Sequence, residues 1–377
     1  MSDIVIKPTQ PSMPDYNAYV AEIKDIWDTK ALTNNGPKVQ KLEKSIKNYM
    51  SCKNAELFVN GHSALTVAIQ ALNLEGEVLT SPFTFISTTN AIVQNGLTPV
   101  FCDIDDNYNI DVKKLEQYIT EKTCAIITPH IFGIPCDVEE INRIAAKHHL
   151  KVIYDGAQAF GTKIAGNHIG RYGDITMFSL HAIKIYNSIE GGLLTYEDDE
   201  LREQFELYKN FGISYGENGN DVLVCGMNAK MNEFQAAMGI LGLGIVEDEI
   251  RIRKSLAQMY IESLKEIEGI TTYSYKDGID YNYAYFPVRI NEKEFGLNRD
   301  EVFSLLKEKG IMTRKLYDTL SCDYSYYRKK NYKKDIVHAY EITKEVLDLP
   351  LYGTLQPEEI AYICKTISMI QKERENV

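Results

Sequence analysis

Lys184 stands in "FSLHAIKIYNSIEGGLLTY" (178–196), an amine between a run that reads as a buried strand and the pair Gly191-Gly192. Burying an ammonium forfeits its hydration. An amine so placed is therefore either a surface lysine whose head reaches water or a group kept for chemistry. Two other strand ends carry polar groups of complementary type. "KVIYD" delivers Asp155, followed by "GAQAFG", and "FVNGHSALTVAIQAL" places Gly61, His62 and Ser63 where a strand gives way to a helix. Taken singly, Asp155 reads as the cap of the next turn, and a Gly-x-Ser start reads as an ordinary helix N-terminus.

Together the three strand ends fit a pyridoxal phosphate site. That cofactor needs an amine for a Schiff base, which Lys184 supplies. It needs an acid beside its ring nitrogen so that the ring can act as an electron sink, and Asp155 lies on the preceding strand. Backbone N–H groups at a helix N-terminus make a phosphate seat, for which Gly61, His62 and Ser63 are candidates, with the Ser179 hydroxyl nearby. Phe85 in "SPFTFIS" follows another strand end and offers an aromatic face for the ring.

These residues need a scaffold that brings strand ends together. From about residue 55 to 195, "AELFV", "EVLTS", "TPVFCDI", "CAIITPH", "KVIYD", "ITMFSL" and "GLLTY" read as strands, several of them continuously apolar. "SALTVAIQAL", "FISTTNAIVQNG", "VKKLEQYIT" and "VEEINRIAAKHH" carry helical spacing between them. Such alternation implies an α/β fold, a mostly parallel sheet covered by helices, with ligands collecting at the carboxyl ends of the strands. After about residue 240 a long helix ("EIRIRKSLAQMYIESLKEI"), a strand in "YNYAYFPVRI", a helix in "RDEVFSLLKEKG" and two final helices read as a smaller α+β domain. The expected division is 1–240, with an N-terminal arm, and 241–377. "CDYSYYRKKNYKK" (322–334) reads as a solvated loop.

Bulk properties exclude several classes. Net charge is −12 over 377 residues, with no basic tract, so neither nucleic acid nor an anionic membrane is an expected partner. A bound phosphate must be held locally against that field. No apolar run approaches the roughly 20 residues of a membrane span, and the N-terminus lacks the basic and apolar regions of a signal peptide. Seven scattered cysteines without a C-x-x-C read as reduced thiols in a cytoplasmic protein. No metal site is expected: His148 and His149 end a helix where they suit its dipole, and His130 ends a strand with a structural hydrogen bond.

The chain resembles the DegT/DnrJ/StrS family of nucleotide-sugar aminotransferases, which are fold-type I pyridoxal phosphate enzymes. The resemblance rests on "LTNNGPKVQKLE" (32–43), "NGHSAL" (60–65), "SPFTFISTTNAI" (81–92), "PHIFGIPCDVEEI" (129–141) and "YDGAQAFGT" (154–162). It continues through "FSLHAIKIYNSIEGG" (178–192), "GMNAKMNEFQAAMG" (226–239), "GIMTRKLY" (310–317) and "LPLYGTL" (349–355). It implies that Lys184 binds the cofactor, that Asp155 pairs with the ring nitrogen and that Gln158 lies beside the cofactor hydroxyl. It likewise implies stacking by Phe85, phosphate contacts from His62, Ser63 and Ser179, and a contact from Asn228 to the phosphate of a neighbouring subunit. A homodimer with shared sites follows.

Arg314 and Tyr317 in "TRKLY" lie where relatives approach the substrate, and His181 stands at the pocket. Asn34 and Asn35 either form a turn or touch the sugar nucleotide. The resemblance further implies L-glutamate as amino donor and a nucleotide-linked keto-sugar as acceptor. The similar relatives aminate C4 of dTDP-4-keto-6-deoxyglucose for surface polysaccharide such as lipopolysaccharide O-antigen. Rival readings are amination at C3, a dehydratase, which would carry His in place of Lys184, and a non-catalytic regulatory homologue, which would have lost Lys184 or Asp155.

Overall fold

The computed structural model describes residues 5–216, 219–332 and 334–375. Seven apolar runs form strands: β1 (Asn54–Phe58), β2 (Glu77–Thr80), β3 (Thr98–Cys102), β4 (Thr123–Pro129), β5 (Lys151–Asp155), β6 (Ile175–Ser179) and β7 (Gly192–Tyr196). They bond in the order β1-β7-β6-β5-β4-β2-β3, and a two-residue strand at 334–335 extends the β3 edge. β7 runs antiparallel to β1 and β6, and the remaining pairs are parallel. The chain lays β3 on one side of β2 and then returns to lay β4 on the other. That reversal opens a crevice at the carboxyl ends of the strands, where an open α/β sheet binds its ligands.

The continuous apolar character of these strands follows from cover on both faces. Within β4 and β5, Ile126, Val152 and Tyr154 face a core built with Leu42 and Ile46 of helix Pro37–Met50 and Ile141 and Ile144 of helix Val138–His148. The alternate residues Ala125, Ile127 and Ile153 face a second core, with Ala64, Leu65 and Ala68 of helix Gly61–Ala71. The α/β alternation expected from the sequence is therefore the observed one. The segment "VKKLEQYIT" departs from it, splitting into a short helix Val112–Leu115 and a 3-10 turn Glu116–Tyr118.

A 32-residue helix, Glu233–Leu264, links this sheet to the C-terminal region. Asn232 and Gln235 begin it with a reciprocal capping box. Its first half contributes Ala236 and Val246 to the core under the large sheet. Its second half contributes Leu256, Tyr260 and Leu264 to a separate core with the antiparallel strands Phe286–Ile290 and Val346–Leu349 and helix Pro357–Glu375. Among the described residues no helix is long and apolar enough to cross a membrane.

The segment 322–334 is largely solvent-exposed, as expected, but it is anchored at two points and carries a helical turn. Residue 333 lies outside the described residues, but Cys322 and Tyr327 are buried, and a short helix spans Ser325–Arg328. The Tyr327 hydroxyl donates to the Asn90 side-chain oxygen. The Tyr327 ring carries enough apolar surface to pack there despite the lysines around it, while Tyr324 and Tyr326 stay exposed.

Glu233 ties the N-terminal region to the long helix. Its carboxylate, 1% exposed, accepts from the amides of Lys38 (2.8 Å) and Val39 (3.1 Å). Those are first-turn donors of helix Pro37–Met50, which have no carbonyl within that helix to bond. The preceding residue, Gly36, has no side chain because a Cβ would fall 2.6 Å from the Glu233 carboxyl carbon. Replacing Glu233 by Ala should lower unfolding stability by about 2 kcal/mol or more, since two buried amides lose their acceptor. Denaturant unfolding of the pure variant measures this.

Candidate active site

The ends of β6 and β7 place Lys184. Leu180 N–H donates to the Gly191 carbonyl (2.8 Å) and Ser188 N–H to the Leu180 carbonyl (2.9 Å), which pinches 181–190 into a compact loop. Within it Lys184 N–H donates to the His181 carbonyl (2.9 Å). Gly192 is required by packing: a Cβ there would lie 2.2 Å from the Asn60 carbonyl oxygen. Gly61 is similarly close-packed, 3.0 Å from the Ser179 Cβ. These two glycines press the start of helix Gly61–Ala71 against the ends of β6 and β7. The helix N-terminus, Ser179 and the Lys184 loop consequently share one wall.

A cavity of about 600 Å³ opens between them. Lys184, Asp155, Gln158, Ser179, His181 and Phe85 all line it, as do Gly61, His62, Ser63, Arg314 and Tyr317. Lys184 is half-buried, and its Nζ lies 3.5 Å from the Tyr285 hydroxyl. Asp155 is buried at the end of β5, its backbone held by the His130 amide. Its Oδ2 accepts from the Thr88 hydroxyl (2.7 Å) and its Oδ1 from the Ala157 amide (3.0 Å). Burial pushes this carboxyl above its ordinary pKa, opposed by those two donors and by the positive field of Lys184 and His62.

The helix N-terminus is only partly free for an anion. Asn60 caps it, its side-chain oxygen accepting from the Ser63 amide (2.8 Å). That leaves the Gly61 and His62 amides, as first-turn donors, and the Ser63 and Ser179 hydroxyls. The His62 imidazole is engaged elsewhere, Nδ1 with Ser87 Oγ at 2.9 Å and Nε2 with Gln94 Oε1 at 3.1 Å. Its side chain is therefore committed to the neighbouring helix Ser87–Gln94, and its backbone amide is the part that can meet a phosphate.

The opposite wall comes from the C-terminal half. Tyr317 accepts from Gln158 Nε2 (2.7 Å), while Gln158 Oε1 accepts from the Phe132 amide. Arg314 gives Nε and Nη2 to Asp348 Oδ2 (2.9 and 2.6 Å) and stacks over the Tyr285 ring at 5.0 Å. Asp348 is fully buried, and burial raises its pKa against the pull of Arg314. Two of the three guanidinium nitrogens are thus spent on holding the wall. Tyr285, Thr88, Asn60 and Asp348 were not singled out in the sequence. Tyr285, Thr88 and Asp348 act through partners distant along the chain, and periodicity carries no signal of that. Asn60, in contrast, caps its own helix three residues on, a local signal that an Asn before a helical run does carry.

Three of the expected residues stay outside this cavity. Asn34 and Asn35 adopt left-handed backbone (φ 63° and 57°) and form the turn before helix Pro37–Met50, so the turn alternative is the one realised within the chain. Asn228 is exposed and pairs with Asn210 through an isolated bridge. His130, by contrast, lies along the cavity wall, buried and neutral, its pKa pushed down to about 3 by burial, and its Nδ1 accepts from the Cys136 amide (3.0 Å). Among the described residues no cluster of His, Cys, Asp or Glu could hold a metal ion.

The set fits pyridoxal phosphate on its own chemistry: an amine and a buried carboxylate on adjoining strands, a glycine-lined helix N-terminus, and the Phe85 ring, 65% exposed at the cavity rim. The chain belongs to the DegT/DnrJ/EryC1/StrS aminotransferase family, matched over residues 15–368, whose members use that cofactor. It is 38% identical over 364 residues to a dTDP-4-amino-4,6-dideoxy-D-glucose transaminase of Shigella dysenteriae, covering 96% of this chain and 98% of that protein. A transaminase of the same name from Escherichia coli is also 38% identical, with 97% and 99% covered. Among solved structures, DesI in the presence of its TDP-sugar product superposes with a TM-score of 0.92 at 28% identity, over 98% of this chain and 94% of that one.

Asp155→Ala should release pyridoxal phosphate faster than the parent protein and lower turnover, because the ring nitrogen loses its acid partner. Absorbance of the cofactor after gel filtration reads the first effect, and steady-state kinetics the second. Unchanged retention and turnover would remove Asp155 from the site.

Proposed function

We propose that this protein transfers an amino group from L-glutamate to C4 of dTDP-4-keto-6-deoxyglucose, giving dTDP-4-amino-4,6-dideoxyglucose. The observation that carries the reading is a single cavity faced by both Lys184 and Asp155, in a chain that matches transaminases of that product over nearly its whole length. Retention of the lysine also disfavours the dehydratase and regulatory alternatives.

When bound, pyridoxal phosphate supplies an aldehyde for the migrating nitrogen and an electron-withdrawing ring. The chain's own residues do the rest. Lys184 Nζ moves a proton to and from the sugar or donor carbon that exchanges nitrogen, at a distance set by the pinched 181–190 loop. Asp155 would accept a hydrogen bond from the ring nitrogen and favour its protonated form. The Gly61 and His62 amides, with the Ser63 and Ser179 hydroxyls, hold the phosphate against the chain's net charge of −12. Phe85 would offer its face to the ring, and Gln158, fixed by Tyr317 and Phe132, would orient the cofactor. His181 and Arg314 meet the substrate at the rim.

The protein works as a homodimer in which Asn228 of one copy reaches the phosphate bound by the other. Its exposure in the single chain, outside the cavity that Lys184 and Asp155 line, supports this. Mixing inactive Lys184→Ala and Asn228→Ala proteins should then restore activity, because each heterodimer contains one site with both residues intact. No recovery from verified heterodimers would put the whole site within one chain. We further propose a cytoplasmic enzyme that feeds surface polysaccharide.

Regiochemistry follows from which sugar carbon the pocket holds within bonding reach of the nitrogen. NMR of the product made from dTDP-4-keto-6-deoxyglucose and glutamate should show the nitrogen-bearing carbon at C4. Nitrogen at C3, or turnover of a 3-keto sugar alone, would overturn the C4 assignment and leave the lysine chemistry standing.

A further inference from the structure

Asp155 can accept from a ring nitrogen only while it is ionised and correctly turned, and burial opposes the first condition. The groups around it come from five parts of the chain. Ala157 N–H lies in its own turn, Lys184 in the loop after β6, His62 at the start of helix Gly61–Ala71, and Thr88 in helix Ser87–Gln94. Tyr317 faces it from the C-terminal wall. Of these, Ala157 and Thr88 hydrogen-bond the carboxylate directly, and Thr88 alone does so with a side chain.

Thr88 is buried with no exposed surface, a costly place for a hydroxyl without a partner. It sits in the first turn of its helix, where there is no carbonyl one turn back within the helix to satisfy it. Its oxygen lies 2.7 Å from Asp155 Oδ2 and 3.3 Å from Thr84 Oγ1. A hydroxyl has one proton. An ionised carboxylate can only accept, so the Thr88 proton goes to Asp155 and Thr84 donates to the Thr88 oxygen. The polarity of this short chain is thereby fixed, and the second lone pairs of the carboxylate are left for the cavity.

We propose that Thr88 is a positioning residue for Asp155: its hydroxyl, backed by Thr84, holds the carboxylate ionised and aimed at the cofactor ring. The inference rests on the reading of Asp155 as partner of the ring nitrogen. It requires the hydroxyl itself and not the shape of the side chain, so Thr88→Val, which keeps the shape, and Thr88→Ser, which keeps the hydroxyl, separate the two.

The test uses the full-length holoenzyme. The rate of pyridoxal phosphate release, kcat and KM, and the acid limb of kcat/KM against pH are measured for both variants, with the unfolding midpoint as control. Thr88→Val should release cofactor about tenfold faster or more, the loss expected for a hydrogen bond to a charged group. Its kcat should fall more than its KM rises, and its acid limb should move to higher pH, because the ionised form of Asp155 has lost a donor. Thr88→Ser should stay near the parent protein on every readout.

A Thr88→Val protein with parental release rate and acid limb overturns the proposal, as does one in which only the unfolding midpoint falls. If Thr88→Val does not fold, Thr88→Ala takes its place against Thr88→Ser, and equality of those two overturns it. Cofactor release needs no sugar, so a wrong sugar assignment leaves this test intact. If Asp155→Ala itself releases cofactor at the parental rate, the reading of Asp155 has failed instead.

Discussion

A carboxylate buried at the end of a central strand constrains much of this molecule. Asp155 is largely withdrawn from water where it lies, so its charge must be matched by donors and cations that the fold delivers from elsewhere. The strand end itself provides the Ala157 amide, while Thr88, Lys184 and His62 arrive on three other elements. The position of each is fixed by the sheet. The reversal between β2 and β4 puts the Thr88 helix over the same crevice into which β5 and β6 discharge Asp155 and Lys184. The electrostatic need of one group and the topology of the sheet are two descriptions of the same arrangement.

Close approach serves the same end on the other side. Gly192 and Gly61 let a helix start, a strand end and a loop occupy a space that a single added methyl group would fill. Rigidity there suits the proton-transfer role proposed for Lys184, since small displacements cost large factors in rate. The far wall is held differently, by side chains. Asn282 donates to the carbonyls of Gln158 (2.8 Å) and Phe160 (2.9 Å), and so ties the turn after Asp155 to the segment that presents Tyr285. Arg314, bonded to Asp348, then backs the Tyr285 ring. The C-terminal half closes the site mainly through these contacts and contributes little of the proposed chemistry.

This division explains why an arginine within the cavity is largely committed to structure. Its two charge-assisted bonds to one oxygen of a buried carboxylate are a strong interaction, and removing either partner would leave a charge stranded. The His62 side chain is similarly committed, bridging Ser87 and Gln94 while its amide stays at the helix start. In both cases the residue type suggested a ligand contact, and the hydrogen-bond partners assign most of the side chain elsewhere.

The sequence by itself determined the strands, their mostly parallel character, the amine and acid at adjacent strand ends and the glycine-marked helix start. These are local properties: apolar runs need cover, and a polar residue ending such a run lies at the sheet's carboxyl edge. It also carried the ordered motifs of a known aminotransferase family. Only the tertiary structure decided which side chains satisfy the buried groups. Thr88 and Asp155 are 67 positions apart, Lys184 and Tyr285 101, and Lys38 and Glu233 195. No periodicity links such residues. Their pairing depends on strand order and on which face of a helix meets the crevice, and both are set by the packing of the whole chain. The same reason accounts for Tyr327, the one buried tyrosine of a largely exposed segment.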